Sequence, residues 1–502
     1  MPSQPELLDL HSRPITELDI QRSLRVNIVA GFFGTLWMAM TINYSLTLFM
    51  EAIGASGVMI GLMMTARQIM VTVQIPSALI FENLPEHRGS RKRRWSIPAL
   101  AHRLTWLIIA GLALCWKPGA SWLPWAVIVI VGLSDLLANA SAPMWYSWMA
   151  DLIPHKTAGA FWGRRQSIAT IGALLGMALA GFLLDHFRVP ATGKTSALGF
   201  ALVFGIGAVW GVTDILIHLK VKEPRRTPIA PGTAIAKRLL APLLNRDFLR
   251  LTLAMGAVAA SMSMLGPFGL IYLKRNYPVT YTHIAALSII GSLGAASASF
   301  SMGKLMDRIG PRVLCAILLV VAPLTSASWF FINTTYVTLH LPWIGDWSVP
   351  QAVLNQAFAS FLGGALYSAI FPCQLRLTAL LSNTSGRTMA MAVHWSVIGI
   401  VGSFGSILGG TIMDWFSAHP QHYLFPSGTS FSFYHVILGV LTLLLWGVSL
   451  PMILSIRAPV DRAPFGKTVA RIINPFNVIR SLASLRWPVD EEEENEDEPT
   501  RK

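Results

Sequence analysis

Gly303-Lys304-Leu305-Met306-Asp307-Arg308-Ile309-Gly310-Pro311-Arg312 stands between two apolar runs, each long enough to cross a bilayer. A tight turn between helices needs a residue that accepts positive φ, and glycine does so without strain. Asp307, Arg308 and Arg312 place charge where the two helices would leave the hydrocarbon. A charged hairpin with membrane-length flanks decides the fold class.

Working outward, the same arrangement recurs along the chain. Hydrophobic residues make up 53% of it and charged ones only 13%, against about 25% charged in soluble domains. About twelve apolar blocks reach membrane length. They lie near 27–50, 57–81, 95–116, 123–149, 166–184, 198–219, 248–272, 282–302, 313–332, 352–380, 388–413 and 431–455. None alternates with period two, so the expected fold is an all-α polytopic membrane protein rather than a barrel. The first block follows a polar segment and is too long for a signal h-region, so no cleaved signal is expected. Cys115, Cys315 and Cys373 fall within spans and lack metal or disulfide spacing, which leaves them as core residues.

The net charge of +14 does not imply a nucleic-acid partner. With the N-terminus in the cytoplasm, roughly 31 Lys and Arg residues fall on the inner side. About five (Lys117, Arg188, Lys194, Lys274, Arg275) fall outside. That asymmetry is the positive-inside rule, and it predicts a multi-pass protein of the plasma or inner membrane with both termini cytoplasmic.

An internal repeat divides the chain in two. Ser167, Gly176, Gly181, Asp185 and Phe187 of the fifth span recur without a gap as Ser396, Gly405, Gly410, Asp414 and Phe416 of the eleventh. Pro143 and Pro372 keep the same offset. The opening loop also has a weaker twin, in which Glu86 stands for Asp307, Gly89 for Gly310 and Arg91 for Arg312. Glu82 replaces the leading glycine there. Small residues at helical spacing let helices approach closely in lipid. Gly172 and Gly176 form such a stripe in span five, as do Gly402, Gly405 and Gly409 in span eleven.

The pattern G-x-x-x-D-R-x-G-x-R between two spans resembles the signature loop of the major facilitator superfamily of secondary transporters. The resemblance implies twelve transmembrane helices in two pseudo-symmetric six-helix bundles. The expected division is a cytoplasmic tail (1–26), a first bundle (27–219), a linker (220–247), a second bundle (248–455) and a cytoplasmic tail (456–502). It further implies that Gly303, Asp307, Arg308, Gly310 and Arg312 act as a cytoplasmic latch, with Glu86, Gly89 and Arg91 as the weaker counterpart and Arg376 as a reachable partner. Gly172, Gly176, Gly181, Gly402, Gly405, Gly409 and Gly410 are expected at the packing between the halves. Span five lacks the Gly-Pro pair of the superfamily's antiporter signature, which speaks against a drug–proton antiporter.

By the same resemblance, spans one, four, seven and ten line the cavity. They offer Asn43, Tyr44, Asp135, Asn139, Ser261 and Tyr367. Arg67, near the middle of span two, cannot snorkel and needs a partner; Asp135 lies at a similar depth with opposite sign. Either the two form a fixed ion pair, or Asp135 exchanges a proton with changing surroundings and couples transport to it. Arg103 is read as snorkelling to the cytoplasmic rim. His394 is read as a structural histidine.

Motifs for nucleotide binding, hydrolysis and metal ligation are absent, so no enzymatic activity and no cofactor are expected. The expected partners are a small-molecule substrate, protons as a coupling ion, and membrane lipids, around a monomer. The expected function is alternating-access secondary transport of a small solute. The alternative is a transporter-like sensor that binds a solute without moving it.

Overall fold

The computed structural model describes residues 7–9, 12–82, 90–117, 119–154, 157–189, 196–225, 242–341, 345–382, 387–420 and 423–457. Twelve of its helical segments are long and apolar enough to span a membrane. In chain order they are α1 (Glu17–Ala52), α2 (Gly57–Phe81), α3 (Arg91–Leu114), α4 (Trp122–Leu152), α5 (Ala158–His186) and α6 (Ala197–His218). The second six are α7 (Arg246–Asn276), α8 (Tyr281–Ile309), α9 (Pro311–Phe330), α10 (Gln351–Leu381), α11 (Arg387–Ala418) and α12 (Phe433–Leu454).

The helix ends follow local chemistry. α1 starts ten residues before the expected boundary, because Thr16 and Asp19 form a capping box over Glu17. The polar segment 17–26 is therefore helical. α1 is then interrupted by a turn before Ser45. Pro143 and Pro372 lie inside α4 and α10, at matching points of the repeat. The loop 333–350 contains an antiparallel hairpin, β1 (Tyr336–Leu341) paired with β2 (Gly345–Pro350). The hydropathy blocks do not reveal it, since both strands are short and amphipathic.

The two halves pack by the same scheme. α1 lies against α5 and α6, as α7 lies against α11 and α12; α2 meets α4 as α8 meets α10. Across the seam, α2 packs on α11 and α5 on α8, again as equivalent pairs. This is the arrangement of two six-helix bundles related by a pseudo-two-fold axis.

The buried apolar residues show where the bundles join. The face bearing Arg91, Lys220 and Arg312 is here called the basic face, and its opposite the distal face. One continuous cluster spans both halves near the distal face, from Phe49 and Phe200 to Tyr272 and Phe433. Towards the basic face the core splits into separate clusters. One surrounds Trp148 and Phe161 in the first half; the other surrounds Phe248 and Leu314 in the second. Among the described residues, the buried apolar core joins the bundles at one face and divides at the other.

Candidate functional site

At the centre of the first half, Arg67 of α2 donates through Nε to Asp135 Oδ2 at 3.0 Å. About two turns further along α2, Gln74 donates to Asn139 Oδ1 at 2.7 Å, and Asn139 donates to the Asp135 carbonyl. The pairing expected between Arg67 and Asp135 is formed. Both side chains keep partial exposure, 23% and 14%.

Of the remaining cavity candidates, Tyr44, Ser261 and Tyr367 turn into their bundles, while Asn43 stays exposed. Tyr44 is fully buried and donates to the Met177 carbonyl at 2.5 Å, and Asn43 contacts the Met177 sulfur. Ser261 bonds back to Ala257 of its own helix. Tyr367 packs on the core of the second half with its hydroxyl enclosed. Hydropathy places a residue at a depth in the membrane but leaves open which way its helix is rotated.

Arg103 does not snorkel. It donates to Asp214 Oδ2 at 2.9 Å, with its guanidinium 3.5 Å from the Trp37 ring. A polar chain extends both ways from this pair. On one side His102 bridges Arg103 to Ser134, the neighbour of Asp135. On the other, Asp214 bonds His218, His218 bonds Asn27, and Arg165 Nε donates to Asn27 Oδ1 at 2.8 Å. The sequence signal was Asp214 and His218, four apart on one helix face inside a span. His394 is buried among Thr252, Gln374 and Thr378, as a structural histidine should be.

At the distal face, two carboxylates cross the seam. Asp185, at the end of α5, accepts from the Tyr281 and Thr282 N–H groups at 3.0 and 2.6 Å. Asp414, at the end of α11, accepts from the Gly57 and Val58 N–H groups at 2.5 and 2.8 Å. Each acid therefore caps the first turn of a helix in the other half, where unpaired N–H groups and the helix dipole favour an anion. Arg275 pairs with Glu51 beside them at 3.0 Å. Thr65 and Gln68 of α2 add bonds to Ser403 and Ser406 of α11. Every described hydrogen bond and ion pair between the halves lies at Gln68 or on its distal side.

The glycines divide between two jobs. A Cβ on Gly410 would stand 2.2 Å from the Gly57 carbonyl oxygen, and one on Gly181 would stand 2.7 Å from Ala285 Cβ; both lie on the seam. Gly172 and Gly176 instead meet α1, while Gly405 and Gly409 meet α7, inside their own halves. Gly402 touches both α7 and Gln68. The reason is rotation: Gly181 follows Gly176 by five residues, about 140° around the helix. The expectation that all seven serve the inter-half packing is corrected accordingly.

On the basic face, Gly310 adopts φ +93° between α8 and α9, a conformation that favours glycine. Asp307 pairs with Arg376 of α10, Arg312 donates to the Ile456 carbonyl, and Arg308 is exposed. A Cβ at Gly303 would meet no atom of the described residues within 4 Å. In the twin loop, Glu86 and Gly89 lie outside the described residues. Arg91 is buried, bound to Asp151 at 2.5 Å and to the Pro224 carbonyl at 2.6 Å. Arg91 and Arg312, aligned by the repeat, thus each hold the chain just after the last span of its half.

The fold and these contacts define a polytopic membrane protein of two pseudo-symmetric six-helix halves, joined at one face. A family model described as the Major Facilitator Superfamily matches residues 28–354, and the chain belongs to that superfamily. Multidrug resistance protein MdtG of Klebsiella pneumoniae (strain 342) is 25% identical over 296 residues, 57% of this chain. The match spans 64% of that relative's length. Among solved structures, a point mutant of the nucleoside transporter NupG aligns with a TM-score of 0.65 at 13% identity, covering 86% of this chain and 99% of that one. A bacterial homolog to the human lysosomal transporter Spinster, in an inward-facing and unoccupied conformation, aligns with a TM-score of 0.59 at 14% identity. It covers 94% of this chain and all of that one (100%). Identities this low speak for the fold alone.

Proposed function

We propose that this protein is a secondary transporter that moves a small solute by alternating access, held here closed at the distal face and open towards the basic face. The observation that carries the reading is the pair of cross-seam caps by Asp185 and Asp414. A carboxylate at the C-terminal end of a helix is disfavoured by its own helix dipole. Both become favourable only when the other half's helix N-terminus docks against them. They therefore stabilise one state and must be released together for the distal face to open. The basic face is the cytoplasmic one on this reading, from the placement of its Lys and Arg residues.

Arg67 and Asp135 are the central charged pair, and Asp135 is the proposed proton-coupling group. The Asp307–Arg376 pair and Gly303 belong to a latch that engages when the basic face closes. The open space beside Gly303 supports this, because a residue without a side chain serves a close approach that is not made here. Counterflow in proteoliposomes tests the function directly. Exchange of labelled solute across the membrane is expected, whereas saturable binding with no exchange would favour the sensor.

A further inference from the structure

We propose that Arg165, with Trp145 and Trp162, forms a recognition site for an oxyanion at the basic-face mouth of the first half. The ligand class is a carboxylate or phosphate carried on an aromatic or apolar body. The proposal names a substrate class for the transport reading and rests on it for calling the ligand cargo.

The chain Arg165–Asn27–His218–Asp214–Arg103 holds two guanidinium groups and one carboxylate. Trp145 Nε1 can only donate, and it points at His218 Nε2 from 3.3 Å. Nε2 therefore accepts here, and the ring in any form supplies no negative charge. Asp214 is bound directly to Arg103 and His218 and reaches Arg165 only from a distance, so the chain keeps a net positive charge and Arg165 has no carboxylate in contact among the described residues. A half-buried guanidinium at the membrane rim with free N–H groups is a place where an anion can bind.

Geometry says where that anion would sit. Arg165 Nε is committed to Asn27, which is fully buried and itself held by Met149 and His218. The two Nη groups meet no acceptor among the described residues. The guanidinium lies 5.3 Å from the Trp145 ring and 5.6 Å from the Trp162 ring. Rings at those faces leave the in-plane N–H groups free, which is the geometry that grips an oxyanion in bidentate fashion. Trp162 and Tyr146, each edge-on to Trp145, are exposed and offer the apolar wall.

The bundle is also shaped around these groups. A Cβ on Gly31 would stand 3.1 Å from the Arg165 guanidinium, and one on Gly34 would stand 2.8 Å from the Asp214 carboxylate. Two glycines on α1 thus leave room for two charges. The site lies beside the first half's basic-face cluster, against which Trp145 packs.

Tryptophan fluorescence of the purified full-length protein, titrated with benzoate, phenyl phosphate and neutral benzamide, tests the site. The anions are expected to bind at least about tenfold more tightly than benzamide, as one charge-assisted bond requires. Arg165→Gln should lose that preference, and Arg165→Lys should recover only part of it. Should Arg165→Gln misfold, Trp162→Leu leaves the buried chain intact and should weaken anion binding several-fold. Equal binding of benzamide and benzoate, or full anion binding by folded Arg165→Gln, overturns the site. Phosphatidylglycerol vesicles that displace phenyl phosphate, with no counterflow of either soluble anion, overturn the cargo assignment in favour of a lipid headgroup. The two readings separate cleanly. Arg165-dependent binding without any counterflow sinks transport and keeps the site; counterflow of a neutral solute unaffected by Arg165→Gln does the reverse.

Discussion

Asp414 caps Gly57 from the other half of the molecule: its Oδ1 accepts the Gly57 N–H at 2.5 Å while Oδ2 takes that of Val58. Asp185 does the same for Tyr281 and Thr282. The two acids are equivalent positions of the repeat, so the seam is closed by one device used twice.

Removing either cap should favour opening of the distal face. A cap contributes about 0.5–2 kcal/mol, so Asp414→Ala or Asp185→Ala should shift the conformational equilibrium by roughly 2- to 30-fold. The distance between spin labels at Ser121 and His419 should lengthen, most in the double variant. Arg275→Ala makes a control. Its pair with Glu51 is 37% and 21% exposed and should matter less. Equal effects from all three would deny the caps a special part.

Asp135→Asn should abolish proton-driven accumulation while leaving solute exchange intact. Asp135→Ala strands Arg67 in a half-buried site and should cost stability, up to about 3 kcal/mol, read as a lower Tm. Uphill transport by Asp135→Asn at the parent rate would leave the Arg67 pair a purely structural tie.

Gly303→Leu should fold normally, since the position faces open space in the state described. It should block turnover, because the closed basic face would have no room for the side chain. Asp307→Asn should slow transport far more than it weakens solute affinity. Normal turnover by Gly303→Leu, measured by counterflow, would remove the latch from that stretch.

Glu223 lies just beyond α6, outside the spans. Burial, the largest influence on it, raises its carboxyl above the ordinary glutamate value, although N–H donation from Arg91 and Lys92 opposes this. A folded state that holds the proton more tightly than the unfolded chain loses stability as pH rises from the ordinary value through the raised one. In detergent, Tm should therefore fall as pH rises above about 4.5, the ordinary glutamate value. Glu223→Gln keeps an acceptor for the Arg91 N–H and should flatten that slope; an unchanged slope would assign the titration to another group.

Much of this molecule was legible in the chain. Span number, the two-fold repeat and the loop at Gly310 follow from apolar length, glycine placement and charge. Even the Arg67–Asp135 pair could be named, because two opposite charges at one depth in hydrocarbon have few alternatives. The site beyond that pair was not legible. Tyr44, Ser261 and Tyr367 were at suitable depths but turned into their bundles. Arg103 found Asp214, 111 residues away, where a snorkelling arginine was expected.

The amino-acid sequence alone determined what must lie in the membrane, how many times the chain crosses it and which halves repeat. These are sums over local residues, since each span partitions by its own hydrophobic length. Tertiary structure decided the partners: Asp185 and Asp414 were visible as a repeat, but not as caps on helices of the opposite half. Which side chain meets which depends on helix rotation and on neighbours far along the chain, and no local window contains either.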